Sequence, residues 1–189
     1  MIEDNLPLKA LFKASYDEPK KAEERLLKKG FKYDTELSSP ESKVFVNEKT
    51  NEPVVLFRGT KRLEDWGTNL KSVLLGQEGR RTKEAKEVVK LAKEKYNKPV
   101  SAVGTSLGGF LAEQSGAEKV KTFNKAVRPV DILKYIPENQ TDYRTNIDVI
   151  SAPSILQRGS KKKTIQVQPF TDVLTAHSTS AFKPKRIKS

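Results

Sequence analysis

The sequence predicts a single compact α/β domain, and three observations carry that expectation. A short apolar run, Val100-Ser101-Ala102-Val103, enters the glycine-rich stretch Gly104-Thr105-Ser106-Leu107-Gly108-Gly109 and leaves through Phe110-Leu111-Ala112-Glu113. Strand, sharp turn and helix therefore follow one another. Just upstream, between Thr82 and Tyr96, the residues Ala85, Val88, Val89, Ala92 and Tyr96 recur at i, i+3, i+4, i+7 and i+11, one face of an amphipathic helix. The chain has 189 residues, enough for one core of useful size and too few for two large domains.

Taken in order, the chain opens with a helical region. Pro19 stands near a helix start and Gly30 where a C-terminal cap belongs, and Ala22, Leu26 and Leu27 give that helix an apolar face. Val44-Phe45-Val46 and Val54-Val55-Leu56-Phe57, separated by the polar residues Asn47 to Glu52, read as a β-hairpin that runs into Arg58-Gly59-Thr60. The amphipathic helix after Thr82 stops before Pro99, and the helix after Ser106 ends near Gly116. Val120 to Val127 is expected as a strand, Asp131 to Tyr135 as a short helical turn, Tyr143 to Ile150 as a further strand and Thr164 to Val167 as a loop-strand segment. The domain is expected to span residues 1–182, with 183–189 a frayed basic tail. No internal repeat or low-complexity linker interrupts it.

Composition narrows the chemistry. Cysteine is absent and histidine occurs once, which excludes disulfides, thiolate catalysis and Cys- or His-rich metal sites. No apolar run approaches the ~20 residues that span a bilayer, and Met1-Ile2-Glu3-Asp4-Asn5 lacks the apolar core of a secretory signal, so an intracellular, peripheral protein is expected. Net charge is +12. A surface of that sign favours anionic partners such as phospholipid headgroups, an acidic protein or nucleic acid. A nucleic-acid role rests on charge alone, because no base-reading motif accompanies it. Lysines are spread along the chain, with local clusters only at Lys161-Lys162-Lys163 and in the tail.

Residues 104–108 form a G-x-S-x-G pentapeptide, and the one histidine, His177, lies downstream of its serine. A serine hydroxyl is a weak nucleophile near neutral pH until a base removes its proton, and imidazole suits that task. The pentapeptide alone recurs by chance, but its strand-turn-helix context is the one a nucleophile elbow requires. Asp131, Asp142, Asp148 and Asp172 all follow the serine and are candidates for the carboxylate that orients the base. Asp148 stands at the end of an expected strand beside Val149 and Ile150, a setting less typical of a solvated surface acid. Leu63, Trp66 and Leu70 fall at i, i+3 and i+7, giving a short segment one apolar face able to cover a site or enter a lipid surface. Arg58 is expected to pair with a carboxylate near its strand end.

The run Phe57-Arg58-Gly59-Thr60-Lys61-Arg62-Leu63-Glu64-Asp65-Trp66-Gly67-Thr68-Asn69-Leu70 resembles the class 3 lipase family, as do Ser106-Leu107-Gly108-Gly109, Asp148-Val149-Ile150-Ser151 and Ala176-His177-Ser178, in the family's order over residues 44 to 182. The resemblance implies an α/β-hydrolase fold, a central mostly parallel sheet flanked by helices, with hydrolysis of acyl esters in lipids and no cofactor. It implies Ser106 as nucleophile, Asp148 as acid and His177 as base, an oxyanion hole from Thr60 and Leu107, and a lid over Lys61 to Leu70. The chain departs from the pattern at Thr105, where the family has histidine. It departs again at Thr122-Phe123-Asn124-Lys125-Ala126, where the family has threonine-phenylalanine-glycine-x-proline. A basic binding protein on an inactive hydrolase scaffold, or a peptidase or thioesterase with the same triad, would share these motifs. Oligomeric state is not encoded in any of them.

Overall fold

The computed structural model describes residues 6–59, 78–146, 151–165 and 178–182. Helices α1 (Leu8–Tyr16) and α2 (Pro19–Leu27) lead into three strands, β1 (Phe31–Asp34), β2 (Ser42–Asn47) and β3 (Pro53–Phe57). Helix α3 (Glu78–Tyr96), β4 (Ser101–Thr105), α4 (Leu107–Gln114) and β5 (Lys119–Phe123) follow, then β6 (Gln140–Thr145) and β7 (Lys161–Ile165). The seven strands lie in one sheet in chain order. β1, β2 and β3 pair antiparallel, and every pairing from β3 to β7 is parallel.

Alternation along the strands divides the core into two layers. Val44, Val55, Phe57 and Ala102 face α3 and α4, where they meet Ala85, Val88, Val89, Ala92, Leu107 and Leu111. Phe45, Val54, Leu56 and Val103 face the other way and pack on Leu11 and Phe12 of α1 and Ala22 and Leu26 of α2. The period-two pattern of each strand thus builds both interfaces of a three-layer sandwich. This is the α/β-hydrolase architecture, in which parallel strands end together along one edge of the sheet.

Several expected elements differ in extent. On α2 the apolar face is narrower than predicted, because Leu27 is 56% exposed while Ala22 and Leu26 are buried. Tyr96 lies at the rim of the α3 face, its hydroxyl donating to Asp34 Oδ2 at 2.6 Å. Strand β5 stops at Phe123, because Asn124 turns into the left-handed region at φ 46°. β6 starts at Gln140 and ends at Thr145, Asn146 is already in a turn, and the rest of the strand expected as far as Ile150 falls in 147–150, outside the described residues. The helical turn expected over Asp131 to Tyr135 is a single 3-10 turn, Pro129–Asp131. The Lys161 cluster is itself a strand, β7, so the segment expected from Thr164 begins earlier. Its backbone pairs with β6 while its lysines stand in solvent, an arrangement suited to a charged sheet edge. Residues 183–189, the expected tail, are also outside the described residues.

Candidate active site

At the C-terminal end of β4 the backbone reverses through Ser106, which takes φ 56° and ψ −124° before α4 begins at Leu107. A side chain at such dihedrals is strained by roughly 1–3 kcal/mol and persists only where its surroundings hold it there. Here the constraints are visible. The Ser106 N–H donates to Phe123 O of β5 at 3.1 Å. Its carbonyl accepts from Gly109 N at 3.0 Å, Phe110 N at 3.2 Å and Ala126 N at 3.2 Å. Ser106 is 2% exposed, and its Oγ has no hydrogen-bond partner among the described residues. Buried hydroxyls are usually satisfied, so an orphan at a strained turn marks a group held for another purpose.

The glycines of the pentapeptide serve backbone contact. A Cβ on Gly108 would come well within 3.0 Å of the Phe57 carbonyl at the end of β3, and one on Gly104 would strike Gly108 itself. Removing both side chains lets the elbow sit directly on the β3 exit. Gly108→Ala is therefore expected to destabilise the fold by about 1–3 kcal/mol or more, read as a lowered urea midpoint, because the obstructing atoms are main chain and have nowhere to retreat. A wild-type midpoint in that variant would contradict the packing described.

Gly59 continues the same contact. An added Cβ there would meet the Tyr16 hydroxyl and, at 2.7 Å, Thr105 O, so the residue before Thr60 lies against the residue before Ser106. Burial raises the Tyr16 phenol to about 12, opposed by Arg58 and by a hydrogen bond from Gly59, so it stays neutral. Arg58 pairs with Glu41 at 3.8 Å, as the sequence suggested, and Arg81 pins both, its Nε 2.9 Å from Glu41 and its Nη2 donating to Arg58 O at 3.0 Å. Leu107 opens α4, so its N–H lacks an intrahelical acceptor and lies at the positive end of the helix dipole.

Backbone bonds carry the order of the elbow sideways. Asn124 N donates to Tyr143 O at 2.8 Å, and Thr145 N donates to Asn124 Oδ1 at 2.9 Å, tying the ends of β5 and β6 to that of β4. Asn124 stands at positive φ, and asparagine is one of the few residues besides glycine at ease there. Thr145 precedes Asp148 by three residues. Downstream, Phe182 is fully buried among Phe12, Phe123 and Tyr143, with ring centroids 5.0 to 5.2 Å away, and so anchors the chain five residues after His177.

Ser106 and Leu107 are thus adjacent at the elbow. Thr60, the lid residues Leu63, Trp66 and Leu70, Asp148 and His177 lie outside the described residues. Two of the alternative carboxylates are already committed. Asp131 is buried and accepts from Arg128 Nε. Asp142 accepts from Thr122 Oγ1 at 2.6 Å, Gln140 Nε2 at 2.7 Å and Ser160 Oγ at 2.7 Å, with Lys125 Nζ at 3.2 Å. Burial pushes the Asp142 carboxyl up, but the Lys125 ammonium and these donors outweigh it and hold the pKa below the ordinary value.

That lysine is a structural residue the sequence does not announce. Lys125 is 2% exposed, and its Nζ bridges Asp142 and Glu113 of α4 directly behind the elbow. The only signal is a lysine inside the strand expected over Val120 to Val127, two residues past the point where the observed strand ends.

A serine on a strained strand-turn-helix unit, at the carboxyl edge of a parallel sheet, defines the site type of α/β hydrolases. Residues 8–168 match the description of the Tle-like phospholipase domain, and the chain belongs to that family of phospholipase-like hydrolases. No curated protein matches the sequence. Among solved structures, the chain is similar to the crystal structure of a mutant form of MDLA from Penicillium cyclopium. The identity is 16% and the TM-score 0.47, over 93% of this chain and 80% of that one.

Proposed function

We propose that the protein is a serine esterase that cleaves acyl ester bonds in phospholipids, built on the class 3 lipase plan. The observation that carries this reading is Ser106, buried at φ 56° with an unpartnered Oγ in a phospholipase-like domain. Ser106 Oγ attacks the ester carbonyl as His177 takes its proton, and Asp148 orients the imidazole by accepting from its other nitrogen. Negative charge moves to the carbonyl oxygen, where the N–H groups of Leu107 and Thr60 receive it. The Leu107 N–H is already oriented by the helix it opens. Collapse of the tetrahedral intermediate expels the alcohol, protonated by His177, and leaves an acyl-serine. Water attacks that ester with His177 again as base, releasing the fatty acid and restoring Ser106.

Asp131 and Asp142 already accept from other partners, which leaves Asp148 and Asp172 of the candidate acids, and Asp148 is the one that the class 3 resemblance marks. No cofactor enters the cycle. Leu63, Trp66 and Leu70 are proposed to cover the acyl site, and an anionic lipid surface is the proposed partner. Among the described residues no helix is long and apolar enough to cross a membrane, which suits peripheral attachment.

Products released from matched phospholipid and triglyceride substrates test the reading. Free fatty acid and lysophospholipid are expected from the phospholipid, at a rate at least tenfold above that from the triglyceride. A protein that reacts with a fluorophosphonate at Ser106 yet cleaves only peptides or thioesters would retain the nucleophile and overturn the substrate.

A further inference from the structure

Two of the parallel crossovers are built unlike the others. β3 reaches β4 through α3, and β4 reaches β5 through α4, but the described residues between β5 and β6 and between β6 and β7 hold only the 3-10 turns Pro129–Asp131 and Ala152–Leu156. The two segments are joined. Gln157 Nε2 donates to Asp131 O at 3.0 Å, Ile136 N donates to Arg158 O at 2.7 Å, and Tyr135 bridges Arg158 in parallel register.

Their burial pattern is unusual. Polar Asp131, Ser151, Ser154 and Gln157 face inward beside the buried Ile136, while Val130, Leu133, Tyr135, Ile155 and Leu156 are 82%, 84%, 61%, 53% and 60% exposed. Large apolar side chains scattered singly on a surface need no explanation, but five on two joined segments form a patch, and such patches mark interaction sites. The patch begins near the elbow, because Arg128 stacks on Phe110 in the first turns of α4, with centroid distance 5.1 Å.

Charge selects the occupant. Lys134 and Arg158 stand exposed within the patch, and the exposed lysines of β7, Lys161 to Lys163, begin three residues after Arg158 and alternate between the two faces of the sheet. Against them, Glu138 is the one exposed carboxylate among the described residues from 128 to 165, since Asp131 and Asp142 are buried and paired. Exposed apolar side chains interspersed with cations suit a lipid surface with anionic headgroups, where the apolar groups enter the acyl boundary and the cations stay with phosphate. A second copy of this chain would bring the same cations against themselves.

We infer that the joined segments 128–136 and 152–158 are the platform on which the protein seats itself on anionic phospholipid, separate from the proposed lid. The inference rests on the phospholipid reading above, and ether-linked vesicles keep the two apart because they cannot be hydrolysed at an ester. On vesicles of diether phosphatidylcholine containing diether phosphatidylglycerol, Leu133→Ser with Leu156→Ser is expected to lower partitioning about tenfold or more. Lys134→Glu with Arg158→Glu is expected to do the same and to flatten the dependence on salt and on phosphatidylglycerol content. Both variants are expected to cleave a soluble short-chain ester at the wild-type rate, since all four side chains are exposed whereas Ser106 is buried. Wild-type partitioning in both variants would overturn the platform. So would a wild-type dimer in light scattering that the leucine pair converts to monomer, which would make the patch a self-interface. Loss of soluble-ester turnover in the wild type itself would instead strike the esterase reading and leave the vesicle result standing.

Discussion

Ser106→Ala is expected to lower kcat on a soluble ester by roughly 10^4-fold or more, to abolish fluorophosphonate labelling and to leave the unfolding midpoint near that of the wild type. The rate effect follows from removing the atom that forms the acyl-enzyme, after which only binding and oxyanion stabilisation remain. The unchanged midpoint follows from the site's geometry. Ser106 Oγ makes no hydrogen bond among the described residues, so alanine forfeits none, and alanine suffers the same strain at φ 56° that serine does. Ser106→Gly adds a sharper test. Glycine adopts positive φ freely, so this variant is expected to be as inactive as alanine yet more stable than the wild type by about 1 kcal/mol. Activity retained in either variant would remove Ser106 as nucleophile. A destabilised glycine variant would mean that the elbow is not strained.

That strain explains why the central unit is legible in the sequence. An apolar strand, glycines where main chain must touch main chain, and a helix immediately after are local requirements, and Val100 to Ala112 meets all of them. The α3 helix is equally plain because one face is apolar from Ala85 to Tyr96, about three turns. The elements that the sequence hides depend on distant partners. β1 is four residues, Phe31-Lys32-Tyr33-Asp34, too short for alternation to declare itself, and it exists through its pairing with β2. β7 carries three consecutive lysines and is a strand because β6 offers it a free edge. Leu27 reads as part of an apolar face, yet helix α2 buries only the stripe of Ala22 and Leu26. In the candidate site, the nucleophile and Leu107 can be read from a contiguous motif, whereas the route by which Asn124 ties the elbow to β6 runs through a left-handed backbone and a side-chain acceptor. Neither leaves a periodic trace.

The buried charges behind the elbow yield the largest stability effect, and its sign with pH can be worked out. Lys125 Nζ lies between Glu113 and Asp142, all three side chains no more than 4% exposed. Lys125→Met keeps the aliphatic stem, whose Cβ stands 3.2 Å from where a Cβ on Gly109 would be, but removes the cation. Two carboxylates then remain in a poorly solvated space without a counter-charge, which is expected to cost about 3–5 kcal/mol near pH 7. In the wild type the Asp142 pKa is depressed in the folded state. Its contribution is therefore present above the unfolded value of about 3.9 and is lost only as pH falls through the lower folded value. In the variant, burial, the largest influence on Asp142, is opposed only by the hydrogen bonds from Thr122, Ser160 and Gln140, and the folded pKa is expected to rise above the unfolded one, which would reverse the sign. Protonation then favours the fold, so the deficit measured by urea unfolding is expected to be largest at pH 8 and to shrink as pH falls toward 5. Adding Asp142→Asn to Lys125→Met is expected to recover part of the loss at pH 8, because it removes one of the stranded charges while keeping a hydrogen-bonding side chain for Thr122 and Ser160. A deficit that stays constant from pH 8 to pH 5, or a double variant weaker than Lys125→Met alone, would show that the lysine acts by packing and not by charge.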